Sequence, residues 1–331
     1  MRRKSNRVVV RILFKYLLPL LLQKIVRGGE SIFNYFQPYK QKRKIFIKIC
    51  APNWRVANEW GDFHLALGLK KYFERKGYRT IIQCKSEWTT LGKKQDIAIM
   101  LRGLEQYIPN PNQWSILWMI SHPNDISLSE IKSYNCVFVA SSKYTEKLNK
   151  ELEVKAMVLN QCTDTELFYP IINTVKNFEL LFIGNSRNVF RQILKDILPT
   201  KFKLKVFGWG WSSFLENDLI GDTFIPNSRL NKYYNETSIL LNDHWQDMKE
   251  NGFISNRIFD GVASGALIVS DKVTMLDSLF TDSVYCYEEK EELKFLINDL
   301  LDKPRLKRSS IGENTFENRV DTFIKSFPKN N

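Results

Sequence analysis

The sequence has no apolar run that could cross a bilayer. In its most apolar stretch, residues 8–26, the longest uncharged segment is the eight residues 16–23, against the roughly 20 that a spanning helix needs. Histidine is scarce, at three, and the five cysteines (Cys50, Cys84, Cys136, Cys162, Cys286) are scattered, with no CxxC. That spacing suggests neither a zinc site nor a disulfide framework, and a reducing cytoplasm is the economical reading. There is no HExxH, Walker A, GxSxG or dinucleotide GxGxxG motif, so the usual metalloprotease, P-loop, serine-hydrolase and dehydrogenase signatures are excluded. No bound metal or resident cofactor is expected.

The positive charge is not spread over the chain. Residues 1–48 hold thirteen of the 49 Lys and Arg but one of the 36 acidic residues, Glu30. The remainder is nearly neutral, which argues against a nucleic-acid groove across a folded face. Residues 1–42 read as a basic extension. On a helical wheel Arg7, Arg11 and Lys15 share one face, and Val9, Leu13, Tyr16, Leu17, Leu20 and Leu21 cover much of the rest. No small-x-small cleavage site follows, so a secretory signal is not indicated. Such a helix suits the headgroup region of an anionic leaflet. Packing on the protein's own body is the alternative.

With 331 residues the chain has room for two domains. From residue 43 onward, short apolar runs alternate with polar or helical segments, as in KIFIKICAP, RTIIQC, DIAIML, SILWMI, CVFVAS and AMVLN. The pattern restarts at Phe178 with FELLFIG, LKVFG, SILLND, ALIVSD and SVYCY. Buried strands alternating with helices imply parallel sheets covered on both faces. The expected architecture is α/β, with two Rossmann-like units, 43–170 and 171–331, facing each other across a cleft. The polar stretch 170–177 separates them. One helix is expected to end at Gly77, another to begin near Val189, and a last one, over about 310–326, to return to the first unit.

Ligands in such sheets bind at the carboxyl ends of strands, so those loops hold the candidate residues. Gly184, Asn185 and Arg187 join a strand to a helix, where a small residue admits a phosphate and Arg187 or Arg191 adds charge. Asn256 and Arg257 open a helix whose N-cap position is Ser255. A cation there is locally unfavourable and makes sense if an anion docks. Asp260, one turn on, can reach ribose hydroxyls, and His244 ends the preceding strand beside Asp243 and Trp245. In the first unit Asp62 and His64 follow strand one, and His122 ends the fourth strand. His and Asp can act as a base at neutral pH. Asp62 can equally cap its helix, Arg102 can bind phosphate or sit in an ordinary turn, and Trp209 and Trp211 can cover the pocket or be structural.

The segment NGFISNRIFDGVASGALIVSD (251–271) resembles the donor-site segment of GT-B glycosyltransferases, most closely the CgeB-like, spore-maturation branch of the family-1/family-4 type enzymes. PNWRVANEWGDFHLA (52–66), WMISHP (118–123), QCTDTELFYP (161–170) and IGNSR (183–187) support the resemblance. It implies a GT-B fold, a nucleotide-sugar donor held by the second unit, and His122 near the donor sugar. Many relatives carry two glutamates that here fall on Gly252 and Asp260, which is a departure. The expected activity is metal-independent transfer from a nucleotide sugar to a glycan or glycolipid acceptor, lipid-linked or part of a cell-surface polysaccharide. The expected place is the cytoplasm, peripheral on the inner membrane face through the extension. Two other readings stand beside it. One is a nucleotide-sugar epimerase of the same fold, disfavoured by the scarcity of histidine. The other is a non-catalytic nucleotide- or nucleic-acid-binding protein.

Overall fold

The computed structural model describes residues 39, 41, 43–89, 92–151, 154–302 and 308–329. Apart from residues 39 and 41, the basic extension lies outside the described residues. In the first half, β1 (Lys44–Lys48) leads to α1 (Gly61–Arg75) and β2 (Arg79–Gln83). Then come β3 (Ile97–Arg102), β4 (Trp114–Met119), α2 (Leu128–Lys132), β5 (Cys136–Val139), α3 (Ser142–Glu151) and β6 (Ala156–Val158). In the second half, β7 (Phe178–Ile183), α4 (Gln192–Ile197), β8 (Leu204–Phe207), α5 (Asn227–Asn235) and β9 (Thr237–Asn242) precede α6 (Gln246–Asn251) and α7 (Asn256–Ala263). The chain continues through β10 (Leu267–Asp271), α8 (Leu276–Leu279), β11 (Val284–Tyr287), α9 (Lys290–Asp302) and α10 (Phe316–Lys325).

All strand pairs in the two sheets are parallel. The orders are β2-β1-β3-β4-β5-β6 and β11-β10-β9-β7-β8. Every residue of β3 and of β10 is buried, as strands covered on both faces require. Each order reverses once, around β1 in the first sheet and around β7 in the second. A parallel sheet opens a ligand crevice at such a switch point. The loops after β1, β3, β7 and β9 are therefore the ones that face the cleft.

Two segments cross between the halves and pair with each other. Thr163 N–H donates to Asn314 O (3.0 Å), and Phe316 N–H donates to Thr163 O (3.2 Å). The Arg319 guanidinium donates to the carbonyls of Asn160 (2.7 Å) and Gln161 (3.3 Å). After the crossing, α10 packs on the first half. The Phe323 ring centroid lies 5.5 Å from that of Trp118 and 5.2 Å from that of Phe138. Gly68 makes room for this, because a Cβ there would come within 2.4 Å of the Phe316 ring.

Several elements differ from their sequence-based expectation. The helix after Gly184 begins at Gln192 rather than near 189, because Arg187 and Asn188 adopt left-handed backbone (φ 63° and 59°). The last helix begins at Phe316, since Thr315 caps it with its hydroxyl and residues 314–316 are engaged at the crossing. The long polar loop after β9 contains α6. Its Met248, and Phe253 just beyond it, are buried in the core of the first half. Gly77 follows the end of α1 with φ 87° and donates its N–H to Glu74 O, a left-handed C-terminal cap.

Removing the Phe323 ring leaves a cavity between α10 and the first sheet. Phe323→Ala should destabilise the protein by about 3–5 kcal/mol, read as a lower urea midpoint. An unchanged midpoint would mean that α10 does not dock there in solution.

Candidate functional site

One cleft of about 640 Å³ runs between the halves, within the usual range for small-molecule sites. Asp62, His64 and His122 line it from the first half. Gly184, Asn185, Arg187, Asn256, Arg257 and Asp260 line it from the second. Among the described residues, no group of three or more His, Cys, Asp or Glu could hold a metal ion, and no helix is long and apolar enough to cross a membrane.

The second-half wall is built on two interlocked glycine loops. Gly184 N–H donates to Phe207 O (2.8 Å), Ser186 N–H to Trp209 O (2.9 Å), and Trp211 Nε1–H to Gly184 O (2.9 Å). Gly208 has φ 130°, and a Cβ on it would lie 2.4 Å from Gly184 O. The Asn185 side chain accepts from Trp209 N–H (2.9 Å), so it fixes this loop. Gly184 also lets Arg257 lie flat, since a Cβ there would sit 2.7 Å from Arg257 Nη2. Arg257 donates to Asn242 Oδ1 (2.8 Å) and passes over the Phe182 ring (5.6 Å). Arg187 stacks on Trp245, 3.9 Å from guanidinium carbon to ring centroid. Neither arginine forms an ion pair with a described residue. Burial pulls Arg187 down to about 9, helped by Arg191 and Arg257, which leaves it charged at neutral pH.

Asp260 closes this wall. Its Oδ1 accepts from Thr163 Oγ1 (2.6 Å) and its Oδ2 from Asn256 Nδ2 (2.9 Å). Burial pushes its carboxyl up to about 7, against the pull of those two donors. Asn256 Oδ1 is buried without a hydrogen-bond partner.

Not every candidate near a strand end lines the cleft. His244 does not line the cleft, and both its ring nitrogens are committed. Nδ1 pairs with Asp271 Oδ1 (2.6 Å), and Nε2 accepts from Ser255 N–H (3.0 Å). It therefore orients the start of α7 rather than touching a ligand. Ser255 occupies the N-cap position, but its side chain makes no cap bond. Arg191 is paired with Asp243 (Nε to Oδ2, 2.9 Å), and Arg102 with Glu130 (2.8 Å). Both are buried and unavailable to a phosphate. Gly252 is left-handed at the end of α6 (φ 75°), and a Cβ there would meet Ser141 Oγ at 3.0 Å. Here the backbone turn claims the position on which the resemblance would place a glutamate.

On the facing wall Asp62 does not cap α1. Its Oδ2 accepts from the Cys50 N–H at the end of β1 (2.5 Å), while Oδ1 is buried without a partner. Burial pushes this carboxyl up to about 6. His64 Nε2 contacts Asn58 O (2.8 Å), and His122 Nδ1 contacts Ser121 Oγ (2.9 Å). Burial lowers the pKa of both imidazoles. Sequence reasoning missed Cys50, Thr163 and the packing of α6. Only tertiary contacts reveal them, although a threonine in the segment joining two units could have been weighed.

Residues 186–323 match the family described as glycosyl transferase-like. No curated protein matches the sequence significantly. Among solved structures, sucrose-phosphate synthase from Thermosynechococcus elongatus superposes with TM-score 0.55 at 10% identity, over 85% of this chain and 94% of that one. An alpha-glucosyltransferase in complex with UDP and a 13-mer DNA gives 0.56 at 10%, over 87% and 96%. The pneumococcal O-GlcNAc transferase GtfA, with UDP and GlcNAc, gives 0.51 at 11%, over 71% and 57%. The fold is GT-B. Residues 186–323 thus carry the likeness to glycosyl transferase-like proteins, and the chain as a whole shares the fold of these enzymes.

The raised carboxyl of Asp62 has a stability consequence. Its folded state binds a proton more tightly than the unfolded chain, so its contribution is full below about 4 and is lost as pH rises through about 6. Asp62→Asn should therefore gain up to about 3 kcal/mol of stability at pH 8 relative to its effect at pH 4. Equal effects at the two pH values would show an ordinary solvated carboxylate.

Proposed function

We propose that the protein transfers a glycosyl group from a nucleotide-sugar donor to a hydroxyl of a glycan or glycolipid acceptor. The observation that carries this reading is the contrast between the two walls. Arg187 and Arg257, without carboxylate partners, line one, and Asp62, with an unpartnered oxygen, lines the other. In this reading the donor diphosphate lies against Arg187, Arg257 and the first N–H groups of α7, and Asp260 with Asn256 takes the ribose hydroxyls. The bond from the sugar's anomeric carbon to the diphosphate oxygen breaks, and the bond to the acceptor oxygen forms. Asp62 takes the acceptor proton. The diphosphate leaves as an anion, stabilised by the two guanidiniums and the helix terminus. His122 and His64, neutral in their buried places, orient sugar and acceptor hydroxyls.

The acceptor wall supports an uncharged glycan over a nucleic acid. Among the described residues its one lining cation is Lys71, which pairs with Asp164 (2.7 Å) and Glu166 (2.8 Å), while Glu59 and Asp62 add negative charge. A polyanion would meet repulsion there. The basic extension, residues 1–42, would hold the enzyme on an anionic cytoplasmic membrane face, where a lipid-linked or lipopolysaccharide acceptor is presented. Within the fold we place the chain in the CgeB-like branch, on the 251–271 segment.

Thermal unfolding against UDP, GDP, CDP and ADP tests the donor site. One diphosphate at 100 times its Kd should stabilise the protein by about 2.7 kcal/mol, and Arg257→Ala should remove the shift. The two neighbours captured with UDP make it the first to try. Absence of any shift would sink the reading. Transfer itself should slow below pH ~6 as Asp62 is protonated, and a flat profile from pH 5 to 8 would assign the base elsewhere. Deleting residues 1–42 should abolish sedimentation with anionic vesicles and spare the nucleotide shift. Retained sedimentation would reject the membrane role of the extension.

A further inference from the structure

Two side chains of the cleft leave left-handed backbone, His122 (φ 52°) and Arg187 (φ 63°), a conformation uncommon outside glycine. Both reach the same indole. The Arg187 guanidinium carbon lies 3.9 Å from the Trp245 ring centroid. The His122 ring lies 5.7 Å from it, tilted by 58°. Trp245 belongs to the second half by sequence, yet the first half holds its root. It packs against the first-half core, and so do Met248 and Phe253. Ser141 Oγ donates to Asn251 O (2.6 Å) and Lys143 Nζ to Glu250 O (2.7 Å), which ties the end of α6 to the same half.

We propose that Trp245 is a positioning residue for the donor diphosphate: its indole holds the Arg187 guanidinium in the cleft and registers it against the first half through His122 and α6. The inference rests on the donor reading above. A guanidinium stacked on an aromatic face keeps its planar N–H fork free for a phosphate. On this arrangement the cation that meets the diphosphate is in place only when the two halves are together. Donor binding and closure of the cleft are thereby coupled through one side chain that touches no reacting atom.

A double-mutant cycle tests it. Affinities of UDP, GDP, CDP and ADP would be measured calorimetrically for the wild type. The tightest diphosphate and its parent nucleoside would then be compared in Trp245→Ala, Trp245→Phe, Arg187→Ala and the Trp245→Ala/Arg187→Ala pair. Trp245→Ala should weaken the diphosphate by about tenfold and leave the nucleoside unchanged, as loss of a desolvated cation–π contact implies. Trp245→Phe, which keeps an aromatic face, should stay within about threefold of wild type. The double variant should bind no more weakly than Arg187→Ala alone. Additive losses in the cycle, or equal losses for diphosphate and nucleoside, would overturn the proposal and leave the donor site standing. A wild type that binds none of the four diphosphates would remove the donor reading and this inference together. Trp245→Leu, which keeps apolar packing but offers no aromatic face, should weaken the diphosphate like the alanine variant and keeps the experiment decisive if that variant fails to fold. Wild-type binding by Trp245→Leu would overturn the proposal.

Discussion

The crossing of the two inter-half segments at Thr163 is the constraint on which the site depends. The backbone of this residue pairs with residues 314–316, and its hydroxyl donates to Asp260 in α7. One buried threonine thus fixes the returning chain and a carboxylate of the second-half wall. Gln161, two residues earlier, donates to Ile120 O in the first half (2.9 Å) and to Ile254 O in the second (3.3 Å). The halves meet through these few directional bonds, through α10, and through the α6 region. Between these contacts lies a cleft bordered by the switch points of both sheets. Buried polar groups that are fully bonded specify one arrangement more sharply than apolar packing does, and here they do so at the pivot.

The buried arginines and the half-buried Arg187 and Arg257 of the cleft differ in their partners. Arg102, Arg191 and Arg319 are each at most 6% exposed, and the first two have carboxylate partners while the third donates to backbone carbonyls. They hold loops and crossings in place. Arg187 and Arg257 are also desolvated, yet they rest on aromatic rings and an amide oxygen. An arginine held without a carboxylate partner is costly; Arg319 meets that cost with backbone carbonyls, whereas Arg187 and Arg257 line the cleft. The same logic separates the carboxylates. Asp243 is consumed by Arg191, whereas Asp62 keeps one oxygen unbonded beside the cleft.

Much of this was legible in the sequence, for physical reasons. Apolar runs of parallel strands have no polar alternation to confuse them, so ten runs and KIFIK located both sheets. The loops at strand ends then named the cleft residues, because topology leaves little choice about where such sheets bind. One misreading and two open alternatives resolve for the same reason. His244, Arg191 and Arg102 belong to strand ends or to the loops after them, but each meets a partner distant in sequence: Asp271, Asp243 or Glu130. Only the fold shows that those partners exist. The start of α4 was misplaced because two consecutive left-handed residues, Arg187 and Asn188, carry no glycine to announce the turn.

The family match, residues 186–323, does not coincide with one half of the molecule. It includes α6 and α10, which pack into or onto the first half and carry Met248, Phe316, Val320 and Phe323 into its cores. A change at those positions is felt on both sides of the cleft. Residues 58–64 after β1 and 103–104 after β3 carry fewer such duties. Asn58, Glu59 and Leu104 are exposed there and line the cleft, and they fill no core. Substitutions at them cost little folding free energy, while they alter what the first-half wall presents to the cleft. The fold therefore separates a second-half wall bound by packing on both sides from a first-half rim that can vary cheaply.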